Sequence, residues 1–391
     1  MRIRALPAAA LACVFATTAM AQNALKIGVL LPMTGVFAPI GKEQLNGMQL
    51  AVDEASGAVA GRKIELVVED SEAKPDVGLS KARKLILSDR VDAMAGIVSS
   101  AVALAVAPYT SSQKMPLVIS NAGTNLLSGE KCDRYIFRAA YSSAQAGAPM
   151  GTWLAKQGVK NIFILASDFV TPHEFVAAFK DAYVKGGGTI AGEAYPPFNR
   201  TQDYGPYISQ ARAAKPGGVF AIFYGGEAVL FTKQYESFGI KQSVPLYTSM
   251  GLTPAMLHEA EGSAARDVVA SVNYVPELDS PENKKFVAAY KAKFSGVPAE
   301  FAVMGYDSIR FIIEAVRARS GDTKDKEALV SALEKVSYTG PRGPMAVDPR
   351  NRGATQNIYI AKTVKAGNGI GYEVMETLPN IPDPVQGCNL K

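Results

Sequence analysis

Nearly continuous apolar stretches alternate along the chain with segments in which apolar residues recur every three or four positions. Residues 25–31 read Leu-Lys-Ile-Gly-Val-Leu-Leu, which is typical of a strand buried on both faces of a parallel sheet. A loop follows and ends at Gly41, and a helical pattern with Leu45 and Met48 on its apolar stripe runs to about Glu54. This order of strand, loop and helix is typical of the start of a doubly wound sheet. Ligands of such sheets bind beyond the carboxyl ends of the strands.

The same alternation occurs in two successive series, which predicts two sheets with right-handed crossovers. Helical patterns at 282–294, 301–320 and 326–336 and strand patterns at 357–377 follow the second series and must return to one lobe or the other. We therefore predict an α/β fold of two Rossmann-like lobes that are discontinuous in sequence. The predicted segments are 24–140 with 272–345 for lobe one, 141–271 with 346–380 for lobe two, and a tail at 381–391.

The first residues have the pattern of a secretion signal. Arg2 and Arg4 precede a small and apolar stretch at 5–16, and Ala-Met-Ala at 19–21 is a typical cleavage site. The apolar stretch is too short to span a bilayer. We predict that residues 1–21 are a cleaved signal peptide and that the mature protein is released into the periplasm.

Composition and charge narrow the class of protein further. The 391 residues fit two α/β lobes after removal of the signal, and the 48% hydrophobic share supports full cores. Removing Arg2 and Arg4 from the 41 basic residues leaves 39 against 36 acidic ones, a net charge of +3. Because the sequence also has no basic run, we predict no nucleic-acid partner.

Two cysteines remain in the mature chain, Cys132 and Cys388. In an oxidising compartment such a pair predicts a disulfide, and two separate thiols are the alternative. A disulfide would pin the tail to lobe one. His173 and His258 are isolated from each other and from the cysteines, so we predict no metal site.

Signatures of enzymes are missing from the sequence. There is no Walker loop and no G-x-S-x-G elbow. The glycine-rich residues 186–191 follow a helical pattern and precede a strand, which is the reverse of the dinucleotide-binding order. We therefore predict a protein that is not an enzyme and has no cofactor.

Two predicted strand ends carry small polar residues that suit a ligand. In 96–105, Ser99 and Ser100 stand where a helix begins, and the free N–H groups beside them suit an anion, with plain N-capping as the alternative. In 116–124, Ser-Asn-Ala-Gly-Thr follows a strand and leaves backbone groups open to a closely packed ligand. An ordinary turn is the alternative there.

These two segments, with residues 26–41 and 135–138, closely resemble the type I periplasmic binding proteins, whose best-known members bind branched-chain amino acids. The resemblance covers essentially the whole mature chain. It implies a clamshell of two lobes joined by three crossings, which acts as a monomer. It also implies that the lobes close on a small molecule and deliver it to the membrane permease of an ABC importer.

The resemblance implies a set of solute-binding residues at the strand ends. Ser100 matches the serine that holds a carboxylate in the family, and Ala122 and Thr124 match the next strand end. The ring-bearing position of the first loop falls near Ile40, with Phe37 close by. In lobe two, the aromatic positions fall near Phe169 to Thr171 and at Tyr224 or its neighbour Glu227. The full predicted set is Phe37, Ile40, Ser99, Ser100, Ala122, Gly123, Thr124, Phe169, Thr171, Arg200, Tyr224, Glu227, Met250 and Thr253.

One position departs from the family pattern. Amino-acid binders hold the ammonium group with an acid in lobe two, and that position is Thr253 here. Because a buried ammonium without a counter-charge is costly, we predict a small organic acid, possibly an aromatic one, as the ligand. Arg200 could clamp that acid, or it is a solvated surface residue.

Two other functions stay open. Glu227 could replace the missing acid, which would make the ligand an amino acid. A ligand sensor of the same fold that signals through a partner is the second alternative.

Overall fold

The computed structural model describes residues 24–384 and 387–390. The predicted signal peptide, residues 1–21, lies outside them. Within these ranges the chain forms two lobes, each built on a sheet that helices flank. Among the described residues, no helix has the length and apolar character needed to cross a membrane.

Residues 25–138 form the sheet of lobe one. Its elements are, in chain order, β1 (Leu25–Leu31), α1 (Ala38–Glu54), β2 (Ala58–Val59), β3 (Arg62–Asp70), α2 (Pro75–Leu87), β4 (Ala93–Gly96), α3 (Ser100–Ser112), β5 (Leu117–Ile119) and β6 (Ile136–Arg138). The strand order is β2-β3-β1-β4-β5-β6, parallel except for β2 with β3. Ile27 and Val29 join one hydrophobic core and Leu30 joins the other, as the two-faced apolar pattern of β1 predicts.

The second series builds the sheet of lobe two. Its elements are α4 (Ser143–Lys156), β7 (Asn161–Ala166), α5 (Val170–Lys185), β8 (Thr189–Ala194), α6 (Gly205–Ala213), β9 (Gly218–Ile222), α7 (Gly225–Ser237), β10 (Leu246–Ser249), α8 (His258–Glu261) and β11 (Val268–Val272). These five strands are parallel in the order β11-β10-β9-β7-β8.

Three helices then return to lobe one: α9 (Pro281–Lys293), α10 (Glu300–Ala318) and α11 (Lys326–Leu333). Helix α10 crosses α1 at two glycines. A Cβ atom on Gly47 would lie 1.7 Å from the carbonyl oxygen of Ala302, and one on Gly305 would lie 2.2 Å from that of Gln44. Only glycine allows so close an approach, and the contact fixes α10 against α1 beside the cleft between the lobes.

The last strands extend the sheet of lobe two: β12 (Ser337–Gly340), β13 (Gly343–Val347), β14 (Ala354–Ala366) and β15 (Gly369–Ile381). β14 pairs antiparallel with β11, β13 and β15, and β13 pairs with β12. The sequence assigned 272–345 to lobe one, whereas this pairing favours a boundary before Ser337. The other lobe boundaries stay predictions.

The chain passes between the two sheets three times, after β6, after β11 and after α11. The predicted fold class, an α/β protein of two Rossmann-like lobes with three crossings, is confirmed. The predicted disulfide is also confirmed: Cys132 and Cys388 are bonded, with sulfur atoms 2.04 Å apart and Cα atoms 5.6 Å apart.

The bonded tail runs from lobe two to lobe one. It leaves the end of β15, and the backbone carbonyl of buried Asp383 accepts a hydrogen bond from Asn351 Nδ2 at 3.0 Å. The tail then reaches Cys132, which precedes β6 of lobe one.

Candidate functional site

A cavity of about 360 Å³ lies between the lobes at the carboxyl ends of the strands. Its size is in the range of small-molecule sites. Its walls are largely apolar and aromatic. The lining residues are Val36, Phe37, Ile40, Glu72, Ala73, Val98, Ser99, Ser100, Ala101, Asn121, Gly123, Tyr141, Phe169, Val170, Thr171, Phe198, Tyr224 and Phe301.

Aromatic side chains from the two lobes meet across the cleft. The ring of Phe37 from lobe one stacks at 6.0 Å, centre to centre, on the ring of Phe198 from lobe two. Phe198 in turn lies 4.5 Å from Phe169, which lies 6.1 Å from Tyr224. This row of rings gives the cavity flat apolar surfaces of the kind that pack against a planar solute.

Five helices, α1, α3, α5, α7 and α10, begin at the cavity. The N-cap residues of four of them line it: Phe37, Ser99, Phe169 and Tyr224. Within the described part of the chain, none of the five has a side-chain N-cap hydrogen bond, whereas Ser142, Ser280 and Asp325 cap α4, α9 and α11. Uncapped N-termini favour negative charge, so the cavity suits an anion.

Charged side chains are nearly missing from the wall. Among the described lining residues, Glu72 is the single charged one, and it pairs with Lys74 at 2.8 Å on the exposed side. No lysine or arginine is among them. An anion in the cavity would therefore be held by helix N-termini and hydroxyl groups.

Ser100 is the hydroxyl best placed to hold such an anion. Its Oγ accepts a hydrogen bond from the backbone N–H of Thr124 at 3.2 Å and lies 3.1 Å from Thr171 Oγ1 in lobe two. Because Thr124 occupies an acceptor position of this oxygen, the Ser100 proton is free to turn toward Thr171 or toward a solute. The neighbouring Ser99 does not cap α3 with its side chain.

Ala122 and Thr124 lie behind the wall and do not line the cavity, unlike their neighbour Gly123. The buried guanidinium of Arg138 donates to the carbonyl oxygen of Ala122 at 3.1 Å and to that of Thr124 at 2.7 Å. The Thr124 hydroxyl donates to Glu174 at 2.9 Å. These partners already use the polar groups that the sequence assigned to a solute.

Glu227 and Arg200 do not reach the cavity either. One Glu227 oxygen accepts from Ser167 Oγ at 2.7 Å and the other from the backbone N–H of Asn199 at 2.6 Å, while burial raises the pKa of this carboxyl. Glu227 thus anchors the loop that carries Phe198. Arg200, on the same loop, is exposed.

Met250 and Thr253 are buried beside the cavity and do not line it. The carbonyl oxygen of Thr253 accepts hydrogen bonds from His258 Nε2 at 2.9 Å and from Tyr372. Between them, Gly251 has φ +80° and lies under the ring of Tyr224, where a Cβ would come within 2.2 Å of the ring. The loop at Gly251 therefore packs against the ring of Tyr224.

The structure therefore brings eight of the predicted solute-binding residues to the cavity: Phe37, Ile40, Ser99, Ser100, Gly123, Phe169, Thr171 and Tyr224. Their contact with a solute stays a prediction. Sequence reasoning missed the other ten lining residues, among them Asn121, Tyr141, Phe198 and Phe301. Phe198 stands two residues before Arg200, so the sequence pointed to this loop but named the exposed Arg200 and not Phe198.

A buried acid lies next to this wall. Glu300, the first residue of α10, precedes the lining residue Phe301, and its Oε1 accepts from the backbone N–H of Gly251 in lobe two at 3.3 Å. Burial raises the pKa of Glu300 to about 7. Its ionised form therefore costs free energy in the folded protein.

Replacing Glu300 by glutamine should stabilise the protein at neutral and higher pH. The folded pKa lies above the ordinary value of 4.5, so the cost of burying the acid is absent below about pH 4.5 and complete above about pH 7. The gain above pH 7 is at most about 3 kcal/mol, and glutamine can still accept from Gly251. Denaturant unfolding of E300Q and wild type at pH 4.5 and pH 8 measures it. An equal difference at both pH values, or any pH-dependent gain in a control with exposed Glu65→Gln, would contradict this assignment.

Comparison with known proteins relates most of the chain to one family. The sequence model of the family described as periplasmic binding protein matches residues 24–368. A Leu/Ile/Val-binding protein homolog 6 from Brucella melitensis is 31% identical over 376 residues, which covers 94% of this chain and 95% of the relative.

Solved structures show the same relation. An ABC transporter substrate-binding protein from Sphaerobacter thermophilus has a TM-score of 0.89 and 32% identity, covering 93% of this chain and 100% of that one. A solute-binding protein of an ABC transporter from Rhodopseudomonas palustris BisB5, in complex with 3,4-dihydroxybenzoic acid, has a TM-score of 0.87 and 33% identity, covering 93% and 99%.

Proposed function

The chain belongs to the family of type I periplasmic binding proteins, and on that premise we propose that its solute is a small aromatic carboxylic acid. The protein closes on this acid between its lobes and delivers it to the permease of an ABC importer. The aromatic ring packs in the row formed by Phe37, Phe198, Phe169 and Tyr224. The carboxylate lies at the start of α3, near Ser99 and Ser100.

The observation that carries this proposal is the pairing of aromatic walls with uncapped helix N-termini in one cavity. Six aromatic side chains line it, and the start of α3 adds backbone donors and the Ser100 hydroxyl. A planar apolar body with one negative charge complements both features. The aromatic acid bound by the Rhodopseudomonas palustris protein supports the same class.

An amino acid is the second candidate, because the Brucella melitensis relative carries a Leu/Ile/Val-binding name. The contacts of this chain disfavour it. Both oxygens of Glu227 are bound within lobe two, and the uncharged Thr253 does not line the cavity. An ammonium group would therefore enter the cavity without a counter-charge from either residue, at a substantial cost.

A thermal-unfolding screen of the mature protein tests the proposal. The panel should contain benzoate, its hydroxylated forms, aliphatic acids of similar size and the branched-chain amino acids. A true solute at 100 times its dissociation constant stabilises the folded state by about 2.7 kcal/mol. Stabilisation by aromatic acids supports the proposal, and selective stabilisation by leucine, isoleucine or valine overturns it.

The proposal extends to location and assembly. We propose that residues 1–21 direct export and are removed before Gln22, which N-terminal sequencing of the exported protein can check. The protein acts as a monomer, without a catalytic step of its own and without a cofactor.

A further inference from the structure

The N-terminal part of α5 contacts lobe one outside the solute-binding cavity as well as within it. This helix belongs to lobe two, where its Phe179 ring stacks at 3.9 Å on Phe220 of β9. The side chain of Glu174, one turn into α5, interacts with Ser143 of lobe two, but it also has two hydrogen-bond donors in lobe one. Its Oε1 accepts from Thr124 Oγ1 at 2.9 Å and its Oε2 accepts from the backbone N–H of Asn125 at 3.1 Å.

The same face of α5 makes a second contact across the cleft. Thr171 lies one turn before Glu174, and its hydroxyl is 3.1 Å from that of Ser100. Thr124 links the two contacts, since its side chain donates to Glu174 while its backbone N–H donates to Ser100 Oγ. Glu174 is therefore connected to the predicted carboxylate-binding hydroxyl through one residue.

Residues 123–125 of lobe one also form hydrogen bonds with the start of α4 in lobe two, directly after the first crossing. Ser143 donates to the carbonyl oxygen of Gly123, and the backbone N–H of Ala144 donates to Asn125 Oδ1. Such bonds beside a crossing can persist when the lobes open. Glu174 approaches from a different helix, so opening can separate it from its partners.

We propose that Glu174 is an interlobe latch: its carboxylate binds two donors of lobe one when the lobes close, and it thereby holds Thr124 and Ser100 in place. The proposal rests on the proposed function, because it presumes closure on a solute. Glu174 is a positioning residue and does not itself line the cavity. A latch formed in the closed state raises the closed population and slows solute release.

The first test measures binding kinetics of E174A, with 3,4-dihydroxybenzoate and benzoate as probes. Two hydrogen bonds of ordinary strength are lost, so we expect the dissociation constant to rise about ten- to a hundredfold. The increase should appear in the dissociation rate with little change in the association rate. E174Q keeps one acceptor oxygen and should give a smaller effect in the same direction.

A double-mutant cycle locates the effect in the contact across the cleft. Thr124→Val removes the hydroxyl that donates to Glu174 while keeping the side-chain shape. E174A and T124V should be non-additive in the probe dissociation constant, because each removes the same hydrogen bond. Additive effects would mean that this bond does not carry the coupling.

Glu193→Ala is the matched control. Glu193 also binds two side chains, Lys180 and Tyr195, but both belong to lobe two. E193A should leave both rates unchanged. If E193A increases the dissociation rate as E174A does, the effect is general to lobe two and the latch is refuted.

X-ray scattering of the ligand-free proteins separates this proposal from the proposed function. If no aromatic acid binds the wild type, the proposed function fails, but scattering still tests the latch. E174A should then show a larger radius of gyration than wild type and E193A, since its closed population is lower. Equal radii for all three proteins, with the fold intact by thermal unfolding, would overturn the latch.

Discussion

Replacing Ser100 by alanine is expected to weaken solute binding about ten- to a hundredfold, from the loss of one hydrogen bond to a charged group. The Ser100 hydroxyl stands at the uncapped start of α3, and no lysine or arginine shares the described wall with it. A carboxylate has few other side-chain donors there. Calorimetry with the aromatic acid that binds wild type best measures the change.

The same substitution also removes the acceptor of the Thr124 backbone N–H. A stability change must therefore be separated from the binding change, by unfolding S100A without solute. Ser112→Ala is the matched control, since Ser112 is an exposed serine in the last turn of the same helix. An unchanged dissociation constant in S100A would place the carboxylate elsewhere in the cavity.

Removing the disulfide is expected to lower the free energy of unfolding by about 2–5 kcal/mol, which is typical for the loss of a native disulfide. The bond joins Cys132 to Cys388 across 256 positions, and the chain-entropy relation gives roughly 5 kcal/mol as an upper limit for so long a loop. Denaturant unfolding of the double variant C132S/C388S measures this difference against oxidised wild type.

Reduced wild type is the natural control for that measurement. It should unfold with the double serine variant, because both lack the covalent link. If both match oxidised wild type instead, the buried contacts of the tail, such as Asn351 with the Asp383 carbonyl, would hold it without the bond.

Local patterns were sufficient for the architecture and for part of the site. The apolar stretch at 25–31 predicted the central strand because a strand buried on both faces has apolar residues at nearly every position. Ser100 was predicted from its place at a strand end, where ligands of a doubly wound sheet bind, and Phe169 from the resemblance to the family; both line the cavity. The helix α1 began three residues before the predicted Gly41, at Ala38, since its start lacks a capping residue that would mark it.

The remainder of the site depends on tertiary contacts that no local pattern records. Phe198 lines the cavity on a loop whose Asn199 N–H is bound by the carboxylate of Glu227, a residue of α7 that lies 28 positions along the chain. The carbonyl oxygen of Ala122 accepts a hydrogen bond from Arg138, a residue of the next strand, and no pattern around Ala122 indicates this partner. The strands at 337–347 were missed because they are short and gain their pairing only from distant β14.

The bonded tail also determines how the molecule would respond to force. Tension applied between residue 24 and the end of the chain passes from residue 24 to Cys132, crosses the disulfide, and leaves through the last residues after Cys388. Lobe two, with β6 and α9–α11 of lobe one, lies inside the covalent ring and off the covalent path between the two ends. For the same reason, a single peptide-bond cut anywhere between Cys132 and Cys388 leaves the two pieces joined until the disulfide is reduced.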